Sequence, residues 1–192
     1  MQAAQPIFFY DIGDPHCYLV AERILATLGE LDAAPEWEPV HGAVLGIEPP
    51  AIDAVELGEA VATAGLQPLR MPRTWPPDSE LAMLAATFAK GGGRAVAFSL
   101  AAFRQVFAGG RDLNDESTVL LAAAACEMHP KAVLKAIGMR SVADSLDRAG
   151  RRAHAAGVRE LPAIGIGALL CQGPGALDLA ERRLRDAIGC GT

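Results

Sequence analysis

Apolar positions along the chain switch between two periodicities, and the switches outline its elements. Ile7-Phe8-Phe9-Tyr10 is a short aromatic and β-branched run suited to a buried strand, and from Cys17 to Leu28 the apolar residues recur at helical spacing. Asp14-Pro15 stands at the junction, aspartate being a preferred N-cap and proline a favoured first helical residue. A second strand is predicted around Glu36–Val40, closed by His41-Gly42, and Gly46-Ile47-Glu48-Pro49-Pro50 breaks the chain. A short amphipathic helix follows through Ala54 to Ala64, stopped by Gly65; Pro68 to Pro77 reads as an extended, proline-rich connection carrying Trp75. From Asp78 to Gly157 the pattern is helical. Breaks at Gly91-Gly92-Gly93, Gly109-Gly110, His129-Pro130 and Gly138 divide it into about five helices of ordinary length, one capped by Asn114 and Asp115 and the last by Ser141. Ala163–Gly167 and Ala168–Cys171 then read as two short strands around a glycine turn, and Leu177–Ile188 as a closing amphipathic helix with Glu181, Arg182, Arg183 and Arg185 in solvent.

This order predicts an α/β fold in which a helical block interrupts a small sheet. A single domain over 1–192 is expected, with a core of about 5–50 and 157–190 and a helical insertion of about 51–156. Composition agrees: 51% of residues are hydrophobic but only 5% aromatic, the balance of a helix-rich chain with close helix packing. A net charge of −6 argues against a nucleic-acid or anionic-membrane surface and leaves small molecules or proteins as partners. Met1–Pro6 lacks the basic and apolar regions of a secretory signal, and no apolar run is long enough to span a bilayer, so a cytoplasmic location is expected. Cys17, Cys126, Cys171 and Cys190 have no metal-ligand spacing and are read as free thiols. His41, His129 and His154 form no ligand pair, so no metal site is assigned. Gly91-Gly92-Gly93 and Gly165-Ile166-Gly167 lack the helix and lysine of a phosphate loop.

Candidate chemistry concentrates at Asp14-Pro15-His16-Cys17, which resembles a thioredoxin-type C-x-x-C centre with aspartate in place of the first, attacking cysteine. A helix N-terminus stabilises anions, so Asp14 is expected to be a firmly ionised carboxylate, either a plain N-cap or a base and hydrogen-bond acceptor. Cys17, about one turn inside, is either the second cysteine of a degraded redox pair or a small buried apolar residue. His16 is a proton shuttle or a solvated helix-end residue. In the thioredoxin superfamily a cis-proline opens the strand opposite this helix; Leu161-Pro162 lies where that requires and is read as cis. Trp75 either lines a substrate cleft beneath the helical block or packs in the core.

Several motifs in order resemble the DsbA-like group, within it the branch of 2-hydroxychromene-2-carboxylate isomerases and kappa-class glutathione transferases. Phe9-Tyr10-Asp11 followed by Pro15 and Tyr18-Leu19 is similar to F-Y-D-x-x-S-P-Y-S-Y-L; Gly46 with Pro49-Pro50 to G-N-K-P-P; Pro72-Arg73-Thr74-Trp75-Pro76 with Ser79 to P-x-x-W-P-x-x-S; Gly110–Leu113 to G-R-D-L; and Gly157-Val158 with Leu161-Pro162 to G-V-F-G-V-P. The resemblance implies a thioredoxin-like core under a helical cap, a homodimer, and glutathione or another low-molecular-weight thiol bound between the first helix and Leu161-Pro162. It also implies a small aromatic or electrophilic substrate. The family serine that stabilises the thiolate corresponds to Asp14, whose charge would repel a thiolate and raise the thiol pKa. The asparagine and lysine of G-N-K-P-P stand as Ile47 and Glu48, and the acid of the family's G-x-D turn as Gly175, so no cofactor is assigned from the residues and glutathione is disfavoured. Three readings follow: an isomerase- or transferase-like enzyme acting through Asp14, a non-catalytic ligand- or protein-binding relative, and a monothiol disulfide oxidoreductase using Cys17.

Overall fold

The computed structural model describes residues 4–189 of the chain, so Cys190 lies outside the described residues. β1 (Ile7–Tyr10) leads through α1 (Pro15–Gly29) to β2 (Glu36–Pro39). Six helices follow: α2 (Ala54–Thr63), α3 (Glu80–Gly91), α4 (Ala95–Phe107), α5 (Glu116–Ala125), α6 (Pro130–Ile137) and α7 (Arg140–Ala155). The chain closes with β3 (Ala163–Ile166), β4 (Leu169–Gln172) and α8 (Ala176–Gly189). The sheet order is β2-β1-β3-β4, with β1 parallel to β2 and antiparallel to β3 and β3 antiparallel to β4. This is the predicted α/β frame interrupted by a helical block, including the predicted run of five helices after Asp78.

β1 is an inner strand, which is why its sequence is apolar throughout instead of alternating. Phe8 and Tyr10 are fully buried and meet Trp37 of β2 edge-on, at ring-centroid separations of 5.1 and 5.5 Å. α8 covers β3 and β4, α3 and α7 pack beside β2, and α4 packs on α1. Two contacts fasten the helical block to the core. Glu38 of β2, 6% exposed, accepts ion-pair hydrogen bonds at Oε2 from Lys90 of α3 (2.9 Å) and Arg152 of α7 (2.8 Å). Phe103 of α4 places its ring 6.0 Å from that of Tyr10 and 6.1 Å from that of Tyr18.

Local signals misplace two caps. α7 begins at Arg140 with Met139 as N-cap, because the Val142 and Ala143 N–H groups both reach the Met139 carbonyl; Ser141 lies inside the first turn. α5 is capped by Asp115 alone, whose Oδ1 accepts from Ser117 N (2.9 Å), while Asn114 N donates to Asp112. The Leu161-Pro162 bond is cis, as the sequence suggests, and so is Trp75-Pro76 in the segment read only as extended.

Candidate functional site

The site is assembled where β1 gives way to α1. Asp11, 7% exposed, accepts from Gly13 N at Oδ1 and from Gly42 N at Oδ2, both at 2.8 Å, tying the end of β1 to the loop after β2. The adjoining loop is tight: a Cβ on Gly13 would stand 3.2 Å from Cβ of Ser79, so the segment leading into α3 approaches the backbone closely here. Asp14 then caps α1 in extended conformation (φ −104°, ψ 119°), its Oδ1 accepting from His16 N (2.7 Å) and Cys17 N (3.3 Å). Pro15 fills the first helical position.

Electrostatics at Asp14 differ from the expectation of a firmly ionised carboxylate. The residue is 7% exposed, and loss of solvation pushes its pKa up to about 7; the two capping N–H groups pull the other way, and the charges of Asp11 and Glu160 add to the rise. Burial without a cationic partner outweighs the helix N-terminus. Near neutral pH both forms of this carboxyl are therefore populated, the poise a proton-transfer group needs.

Cys17 is fully buried, and burial raises its thiol well above the ordinary value, with the Asp14 charge adding to the effect. It stays a neutral thiol and serves packing, the second of the two roles its position allows. Native protein is expected to leave Cys17 unmodified by Ellman's reagent until it is unfolded. Rapid labelling of Cys17 in the folded state, located by peptide mass spectrometry, would contradict this. His16 is half-buried, and loss of solvation lowers its pKa despite the charges of Glu56 and Glu160, so the ring is neutral at physiological pH. Only its backbone N–H is engaged with Asp14.

These groups border a cleft of about 480 Å³, within the range of small-molecule sites. Asp11, Gly13 and Asp14 contribute from the β1–α1 loop, His41, Ile47, Glu48, Pro49 and Pro50 from the β2–α2 loop, Pro76 to Glu80 from the approach to α3, and Leu161 from the cis-proline loop. Pro162 is buried behind Leu161, its carbonyl accepting from Gly173 N (2.9 Å). The structure thus brings Asp14 and Leu161 to one cleft, whereas Cys17 and Pro162 are buried and do not line it. Trp75 does not line the cleft: it is half-buried and packs against the core, and Pro76 and Pro77 form the wall instead. A second cavity of about 550 Å³, among α3, α4, α6 and α7, includes Phe88, Arg94, Met128 and His129 but none of the predicted site residues.

Asp11 escapes a reading built on C-x-x-C spacing, although Asp11-Ile12-Gly13 carries a signal of its own, an aspartate two residues before a glycine whose N–H it caps. Among the described residues no three His, Cys, Asp or Glu side chains are grouped to hold a metal ion, and no helix is long and apolar enough to cross a membrane.

The family model described as a DSBA-like thioredoxin domain matches residues 7–185. No curated protein matches the chain in sequence. Among solved structures, the chain is similar to a 2-hydroxychromene-2-carboxylate isomerase, with a TM-score of 0.83 at 16% identity over 95% of each chain. It is also similar to a probable DsbA oxidoreductase from Streptomyces coelicolor, with a TM-score of 0.78 at 19% identity over 97% of this chain and 90% of the other. A third similar structure is the cytosolic disulfide reductase DsbM from Pseudomonas aeruginosa with GSH, with a TM-score of 0.64 at 17% identity over 96% and 98%. At such identities these likenesses speak for the fold.

Proposed function

Because the chain belongs to the DSBA-like thioredoxin domain family, we propose that it is a cytoplasmic, isomerase-type enzyme of small molecules in which Asp14 itself moves the proton and no thiol cofactor takes part. The observation that carries this reading is the Asp14 carboxyl, nine-tenths buried, bordering a small-molecule cleft and poised to titrate near pH 7. A substrate with an acidic C–H beside a carbonyl would give that proton to the Asp14 carboxylate and receive it back at a neighbouring carbon. The net change is a shifted double bond, with no atom or electron left over. A thiolate held at the same place would face the charge of Asp14, with Asp11 behind it, and would be destabilised. The oxidoreductase reading loses its support with the occlusion of Cys17.

The test is thiol-free isomerisation and solvent-deuterium exchange of small enolisable compounds, followed by NMR. If Asp14 is the base, the rate rises with pH and levels off above about pH 7, and Asp14→Asn lowers it about a hundredfold or more. Millimolar glutathione is expected to change neither the rate nor the melting temperature, since a ligand that binds only the folded state must raise the latter. Turnover only with glutathione, or an undiminished Asp14→Asn variant, contradicts the proposal. Ligand binding without exchange on any compound points instead to a non-catalytic relative.

A further inference from the structure

We propose that this cleft recognises its substrate through an ammonium group carried on a compact apolar body. The inference rests on reading the cleft as a small-molecule site and adds the charge of what it accepts.

The first argument is the sign of the walls. Asp11 and Asp14 lie buried at the floor, Glu48, Asp78 and Glu80 stand exposed at the rim, and no lysine or arginine lines the cleft. Among the described residues none of these five carboxylates is paired with a basic side chain. The N-terminus of α1, which could otherwise attract an anion, is already occupied by Asp14 Oδ1. A carboxylate or phosphate entering here would meet like charge at the floor and at the rim with no cation to offset it, whereas a cation would be drawn in.

The second argument is independent of the number of acids. Asp14 is more than nine-tenths buried, yet both of its capping bonds fall on Oδ1; beyond them the carboxyl has only the weak Cys17 thiol as a donor, and no backbone N–H or basic side chain among the described residues reaches Oδ2. A carboxyl oxygen that borders a cleft on a side chain this little exposed, with only a weak donor, is completed by a charged N–H donor, the strongest partner it can take. The remaining wall is aliphatic and prolyl, from Ile47, Pro49, Pro50, Pro76, Pro77 and Leu161, which suits the body of an amine and not a hydrated metal ion.

Ammonium binding also couples to protons. The groups around Asp14 are Asp11 behind it, Cys17 and neutral His16 on α1, Glu160 on the cis-proline loop, and His41 with the rim acids across the cleft; Glu56 of α2 lies toward His16. An ammonium ion pairs with the ionised form of Asp14, so its uptake releases a proton from that residue.

The experiment titrates benzylammonium, benzyl alcohol and benzoate into the protein, with amide chemical shifts as readout. Benzylammonium is expected to perturb His16 and Cys17 and to bind at least about tenfold more tightly than either isostere, the preference shrinking as salt is raised. Its affinity should weaken by up to about tenfold per unit as the pH falls below about 7. Asp14→Asn keeps an N-cap acceptor and is expected to bind about tenfold more weakly with that pH dependence gone; Glu48→Gln, on the exposed rim, should weaken binding severalfold. Benzoate binding as tightly as benzylammonium, perturbation confined to distant residues, or an unaltered Asp14→Asn variant would overturn the inference. The two proposals fail separately. Selective ammonium binding without turnover removes only the isomerase reading, and thiol-free turnover of neutral or anionic compounds without ammonium preference removes only this one.

Discussion

Asp14→Asn is expected to make the protein more stable at about pH 8 by about 4 kcal/mol, and no more stable at all near pH 4. In the unfolded chain Asp14 loses its proton near its ordinary value of 3.8, while in the folded protein burial holds the proton until about pH 7. Between those values the native state binds the proton that the unfolded state has released, so stability falls with rising pH by about 1.4 kcal/mol per unit over about three units. Below about pH 4 both states are protonated and the residue contributes no pH dependence; above about pH 7 the full loss is in place. Asparagine keeps an oxygen for His16 N and Cys17 N and is as good an N-cap as aspartate, so the variant removes the charge without removing the cap. Other groups give the wild type its own pH dependence, and the informative quantity is therefore the difference between the two proteins in urea midpoints across the pH range. A flat difference would mean that the carboxyl is solvated in the folded state and that its poise near neutrality is lost as well.

Most of the architecture is legible in the sequence because it depends on patterns within a few residues of each other. The apolar run at Ile7–Tyr10, the Asp14-Pro15 helix start, the glycine breaks after Asp78 and the Gly167 turn, at φ +59°, each follow from local backbone and side-chain preferences. Leu161-Pro162 is legible for a different reason, namely its place just before an apolar strand in a strand-helix-strand frame. The site is legible only in its members. That Asp14 sits beside Leu161 could be read from the frame, but its protonation could not, because desolvation is set by tertiary burial. The local features, a helix N-terminus and an N-cap acceptor, argue for ionisation, and tertiary burial reverses them. Trp75 illustrates the same limit: a tryptophan in a proline-rich segment faces a cleft or a core according to contacts dozens of residues away, and here the core takes it. Asp11 and the rim acids Asp78 and Glu80 gain their meaning only when the loops carrying them converge.

That convergence depends on how the helical block is seated, and Phe103→Ala is expected to unseat it at a cost of about 4 kcal/mol. The Phe103 ring is fully buried and lies among rings from three elements: Tyr10 of β1, Tyr18 of α1 and, at 6.4 Å, Phe107 of its own helix. Truncation removes the transfer free energy of the ring and leaves a cavity between rigid aromatic neighbours that cannot collapse onto it, which places the loss in the range of about 3–5 kcal/mol for such changes. For a chain of this size that corresponds to a melting temperature lower by about 10 °C. The consequence is not uniform. Tyr10 leads directly into Asp11, and Tyr18 lies one turn after Asp14, so the ring braces the two segments that converge on the cleft. Amide exchange in the first turns of α1 should therefore accelerate more in Phe103→Ala than in Val133→Ala, a buried truncation on α6 away from that wall. Equal acceleration in both variants would mean that α4 stabilises the fold as a whole without holding the site. A fall in melting temperature of only a degree or two would mean that the ring is not packed as the geometry has it.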